Sequence, residues 1–148
     1  MPYLKVTCPD TFKPQFPTIA ERLTSEINTL FFNPRARITE EELRERTTIH
    51  FSPYFENQIF IGAKTPTERG YLDITVELSD WSMSIKKQRT VAKALTPVLA
   101  ELFGINKDRI EHVNIYFNSY PPANFSVGGI LLSDLVPFPA QLAKRIFE

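Results

Sequence analysis

The sequence has one cysteine, Cys8, so neither an internal disulfide nor a cysteine-built zinc site can form within the chain. Its two histidines, His50 and His112, stand far apart, and no metal centre is expected. Neither sign of charge predominates: Lys plus Arg and Asp plus Glu each number 17, for a formal net charge of +0 at pH 7. The basic field that generic nucleic-acid binding needs is missing, so no nucleic-acid partner is expected. No apolar run approaches the roughly 20 residues that span a bilayer, and Met1-Pro2-Tyr3-Leu4-Lys5 has no apolar signal-peptide segment. The expectations are no membrane partner and a cytoplasmic location. What is present is 43% hydrophobic and 23% charged residues over 148 positions, the composition of one globular domain, residues 1–148.

The segment Tyr3–Cys8 alternates, with Leu4, Val6 and Cys8 on one side and Tyr3, Lys5 and Thr7 on the other, which predicts a strand. From Pro17 to Phe31, Ile19, Leu23, Ile27 and Leu30 recur at spacings of three and four, predicting an amphipathic helix ended by Asn33-Pro34. The charge-dense stretch Arg35–Arg46 predicts an exposed excursion with a short helix, where Thr39 and Glu42 fit a capping box. Thr47–Phe51 reads as a strand, followed by a turn near Pro53 and Asn57 and a short strand piece at Ile59–Gly62. The pattern then repeats. Leu72, Ile74, Val76 and Leu78 alternate with Tyr71, Asp73, Thr75 and Glu77 in a third strand. Ser84–Phe103 carries Val91, Ala94, Leu95, Val98, Leu99 and Leu102 on one helical stripe, with Gly104 as C-cap and Pro97 predicting a kink or break. Val113, Ile115 and Phe117 alternate with Asn114, Tyr116 and Asn118 in the last strand.

The expected fold is therefore α/β (α+β): tandem β-α-β units at about 2–64 and 70–120, giving a four-stranded mixed sheet with two helices on one face. An irregular tail, 124–148, follows, with a terminal helix near Gln141–Phe147. Each strand pairs an apolar side, which helices can cover, with a side bearing Tyr3, Lys5, His50, Asp73, Glu77, Asn114, Tyr116 and Asn118. That second side is too polar for a dry core, so it should line a wet surface or cavity. A sheet this small must also protect its edges, and joining sheets edge to edge in an oligomer would do both. Cys8 reads as a core residue, His50 as a structural hydrogen-bonder, and Phe125 and Phe138 as walls of an apolar pocket.

Pro2 opening the first strand of a doubled β-α-β chain resembles the tautomerase superfamily, which includes 4-oxalocrotonate tautomerase and macrophage migration inhibitory factor. Ile105–Arg109 followed by His112–Phe117 is similar to the helix exit and final strand of migration inhibitory factor, and Pro122-Ala123-Asn124 continues the likeness. His112–Phe117 and the Pro121 turn also resemble cis-3-chloroacrylic acid dehalogenase. The resemblance covers most of residues 1–130 and implies a homotrimer with three sheets around a central channel. It also implies a cofactor-independent keto-enol tautomerase acting on a small keto or enol acid, such as a phenylpyruvate-like enol. Pro2 would be the general base, which requires removal of Met1, because an internal proline has no basic nitrogen. An α-amino group already titrates at roughly 8, so desolvation or nearby cations can tune it to the working pH.

The resemblance places Tyr116 and Asn114 where the last strand reaches the N-terminal proline of a neighbouring subunit. Tyr116 stands where the dehalogenase has an active-site tyrosine and could donate a hydrogen bond to a substrate oxygen. Arg35 and Arg37, just after the first helix, and Lys64 are the candidate carboxylate binders. The chain also departs from the dehalogenase. Val127 replaces its water-activating glutamate, and the segment matching its arginine pair, Ser79–Ser84, has no arginine. A non-catalytic trimeric binding or signalling protein, and a hydratase or decarboxylase of the same superfamily, stand as alternatives.

Overall fold

The computed structural model describes the backbone of residues 1–147 and the side chains of 1–145. Leu4, Val6 and Cys8 are fully buried, as their alternation predicts, in β1 (Tyr3–Pro9). Burial alone pushes the Cys8 thiol up to about 11, which keeps it protonated and inert in the core. β1 pairs in parallel with β2 (Thr48–Tyr54) and antiparallel with β3 (Ile74–Trp81), which pairs in parallel with β4 (Val113–Tyr120). The sheet order is β2-β1-β3-β4, so each parallel pair is one β-α-β unit and the two units join at the centre.

Two long helices cover the apolar side. In α1 (Phe16–Phe31) Ile19, Leu23, Ile27 and Phe31 face the sheet, and Pro17 pre-sets the backbone of the first turn. α4 (Ile85–Leu102) starts at Ser84, whose side chain accepts the Lys87 amide at 3.0 Å, and buries Val91, Leu95, Val98 and Leu99. It ends where Gly104 takes the left-handed conformation, φ 66°, that its neighbours cannot adopt cheaply. Between them, α2 (Glu40–Arg46) has the predicted capping box: Thr39 accepts the Glu42 amide at 3.1 Å and Glu42 accepts the Thr39 amide at 2.7 Å. Each fully buried Leu, Ile or Val contributes about 1.5–3 kcal/mol, so this shared core carries the fold.

Several boundaries differ from expectation. α4 runs unbroken through Pro97. Pro97 is exposed, as is Lys93 one turn before it, so the carbonyl that loses its amide partner is on the water side. β2 continues past the expected turn through Pro53 to Tyr54, which an edge strand tolerates because no further ladder needs the proline nitrogen. Ile59–Gly62 is not a strand of the sheet. Ile61 and Lys64 instead close a tight turn over Gly62 and Ala63, both with φ near 60°, and lead into α3 (Pro66–Arg69). β3 begins at Ile74 rather than near Tyr71, so Asp73 leaves the polar face. It is held by His112 at 2.9 Å and Arg69 at 3.3 Å.

The tail has the expected terminal helix and, before it, a hairpin and a short helix. β5 (Ser126–Val127) and β6 (Ile130–Leu131) make a hairpin over Gly128-Gly129, followed by α5 (Leu132–Leu135) and α6 (Phe138–Phe147). Phe125 packs on Tyr120 with ring centroids 5.8 Å apart, whereas Phe138 is exposed. Among the described residues no helix is long and apolar enough to cross a membrane.

Leu23→Ala should lower the unfolding free energy by about 2–5 kcal/mol, the range for a fully buried leucine. Pro97→Ala should leave it unchanged or raise it, and urea denaturation monitored by circular dichroism checks both.

Candidate active site

Strand register decides what surrounds Pro2. Its carbonyl accepts the Thr48 amide at 3.0 Å and its ring is buried on the helix side, in phase with Leu4 and Val6. Tyr3 pairs with Ser79 and Ser79 with Asn118, so the row just beyond brings Pro2, Asp80 and Ser119 together. Asp80 continues the inward phase of Ile74, Val76 and Leu78 and is only 2% exposed. A lone buried carboxylate is costly, and this one has two cations. The Met1 ammonium donates to Asp80 Oδ1 at 2.7 Å, and Lys144 Nζ donates to Oδ2 at 2.6 Å. Lys144 also lies 4.1 Å from the centre of the Trp81 ring, a cation–π contact.

The electrostatics are mixed. Desolvation by burial is the main reason the Met1 amine sits below its ordinary value of 8.0; Asp80 opposes this, and Lys144 and Arg46 reinforce it. Burial, with a contribution from Asp80, pushes the Tyr120 hydroxyl up to about 12, so it is a neutral donor at physiological pH. Ser82 donates its amide to the Tyr120 carbonyl at 2.8 Å and turns the chain into α4 with φ 51°. For a residue other than glycine that turn costs about 1–2 kcal/mol. Next to it lies an open depression of about 290 Å³, lined by Ser82, Met83, Ser84, Ser119, Tyr120 and Arg145. Among the described residues no group of His, Cys, Asp and Glu could hold a metal ion.

The expected site residues fall in three places. Pro2 is in this cluster, although the described chain carries Met1, and it is the Met1 amine that bonds to Asp80. Tyr116 and Asn114 lie on the opposite face of the sheet, in phase with Glu77 and Thr75, and Tyr116 is 66% exposed. Within one chain they cannot reach Pro2. Lys5 and Glu77 make an ion pair at 3.5 Å on that same face, and the Tyr3 hydroxyl lies 2.5 Å from His50 Nδ1, the structural role expected of His50. Arg35 and Arg37 are exposed in the loop that follows α1. Lys64 is beyond the far end of β2, near Ile61 and Arg69, and is remote from Pro2 in the same chain.

Sequence reasoning missed Asp80, Trp81, Lys144, Arg46 and Tyr120. Asp80 had a usable signal, because it occupies the next inward position after Leu78. Lys144 had none beyond the helical phase of a short tail.

No protein-family profile and no curated protein matches the sequence. The fold has clear matches among solved structures. A fused 4-OT wild-type asymmetric trimer is 14% identical over 91% of this chain and 99% of its own, with a TM-score of 0.73. A member of the cis-3-chloroacrylic acid dehalogenase family is 15% identical over 96% of this chain and 97% of its own, with a TM-score of 0.67. Native fused 4-OT is 15% identical over 90% and 98%, with a TM-score of 0.69. This chain therefore has the tautomerase-superfamily fold.

Because the folded state lowers the proton affinity of the Met1 amine, the unfolded chain binds more protons just below pH 8.0. For protein that retains Met1, the unfolding free energy should therefore rise with pH toward 8.0 through this group and level off above it. Urea titrations of native and N-terminally acetylated protein check this, since acetylation should remove that part of the pH dependence.

Proposed function

We propose that the protein is a cofactor-independent keto-enol tautomerase whose base is the nitrogen of Pro2 after Met1 is removed. The observation that supports this most is the burial of Pro2 beside Asp80, Lys144 and Arg46, on a fold shared with 4-OT structures. A secondary amine in such a desolvated, cation-flanked place is neutral closer to pH 7 than a free α-amino group. Its lone pair takes a proton from the enol hydroxyl, or from the carbon beside a carbonyl, and the resulting ammonium returns a proton at the other position. No electrons leave the substrate, so the reaction requires no redox partner.

In this reading the chain acts as a homotrimer. Tyr116 and Asn114, exposed on the sheet face opposite Asp80, serve the Pro2 of a neighbouring subunit, where the phenol donates to the substrate oxygen as charge develops on it. Arg35 or Arg37 from the loop after α1 holds the substrate carboxylate of a small keto or enol acid, and Lys64 contributes only across a subunit boundary.

A second reading, a trimeric binding protein that keeps the fold without the chemistry, holds if Met1 is retained. Intact mass separates the two, since a retained Met1 blocks the Pro2 nitrogen in an amide bond. If Met1 is absent, Pro2→Ala should lower the ketonisation rate of phenylenolpyruvate by at least about 100-fold, the scale of a general base. Circular dichroism and the oligomer mass should not change. Undiminished turnover would exclude Pro2 as the base.

A further inference from the structure

We propose that Lys144, on the C-terminal helix, is a positioning residue of this site: it shares Asp80 with the N-terminal amine and so keeps that carboxylate from fixing the amine as an ammonium ion. The catalytic meaning of this rests on the reading above, whereas the electrostatic claim stands by itself.

Asp80 presents a difficulty for any base at the N-terminus. A buried carboxylate 2.7 Å from an amine normally stabilises the protonated form, which has no lone pair to offer. Lys144 changes the charge count. Lys144 donates to the same carboxylate at 2.6 Å, on Oδ2, while the amine is on Oδ1. With the amine protonated, both cations draw on a carboxylate that is 2% exposed, and water has little room to compensate, so Lys144 weakens the hold of Asp80 on the ammonium form. Arg46 from α2 acts in the same direction, and Tyr120 from β4 stays uncharged beside Asp80.

The placement of Lys144 is built into the fold. β3 ends on Asp80-Trp81, so one strand terminus presents both the carboxylate and an indole face to the same ammonium. Lys144 is itself only 15% exposed. α6 is held by Gln141, whose Nε2 donates to the carbonyls of Val136 at 2.7 Å and Ser133 at 3.1 Å. Removing Met1 moves the amine one residue inward, about 3.8 Å between Cα atoms, to Pro2 in the same row as Asp80.

The test titrates the N-terminal amine directly, through the pH dependence of its acylation by acetic anhydride, read by mass spectrometry of the N-terminal peptide. Lys144→Met keeps the apolar stem on Trp81 and should raise the amine's apparent pKa by one unit or more, lowering its reactivity at pH 7 by about tenfold. Lys144→Arg should stay at the wild-type profile. Asp80→Asn combined with Lys144→Met should cancel the upward shift, because the unmatched carboxylate is gone. An unchanged profile in Lys144→Met overturns the proposal. So does a shift that persists in the double variant, because it then comes from water entering beneath a displaced helix. Absence of enol turnover with this titration pattern intact would count against the tautomerase reading alone.

Discussion

The carboxylate of Asp80 is the point on which the N-terminal end of the structure depends. It is an anion at a position where the strand pattern calls for an apolar residue, and it is buried to 2% exposure. Such a group persists only when cations approach it closely, and here they come from both ends of the chain, Met1 and α6. One residue in the middle of the sequence therefore ties the first residue to the last helix. The same pairing sets Lys144 over the Trp81 ring.

The far end of the sheet is held by a second polar lock. Asp73 pairs with Arg69 and His112, while Arg69 and Arg109 each lie about 4.5 Å from the Tyr71 ring. This lock joins α3 to the starts of β3 and β4. Between the two ends, the apolar rows Ile49–Leu4–Leu78–Phe117 and Phe51–Val6–Val76–Ile115 run under α1 and α4. The two ends thus have separate tasks. The Asp73 lock closes one end of the sheet, and Asp80 holds the N-terminal amine at the other.

Much of this was legible in the residues. Period-two alternation located β1, β3 and β4, while β2 shows in the sequence only as a short strand-like run, Thr47–Phe51; the spacing of Ile19, Leu23 and Ile27, like that of Val91, Leu95 and Val98, located both long helices. Both signals come from burial on one side, which sequence periodicity records directly. Pro2 at the head of β1 was legible too. What stayed hidden depends on partners distant in sequence. Asp73 looked like one more polar-face residue until Arg69 and His112 drew it off the face. Pro53 looked like a turn because nothing local shows that β2 is an edge. The tail's terminal helix, expected near Gln141–Phe147, is α6 and begins three residues earlier at Phe138, whereas the two-residue strands β5 and β6 are too short to alternate. The partner of Lys144 stayed hidden because Asp80 lies 64 residues away.

The segment Ser79–Ser84 shows why a likeness of fold does not transfer a mechanism. Resemblance to the dehalogenase places an arginine pair there, and this chain instead offers a buried acid. A site that gains an anion on its strand must recover positive charge from elsewhere if the amine is to stay neutral and a carboxylate substrate is to be attracted. In this protein the nearest sources are Lys144 on α6 and Arg46 on α2, elements outside the central sheet. The charge around the N-terminal amine therefore depends on the docking of α2 and α6 as well as on the strands.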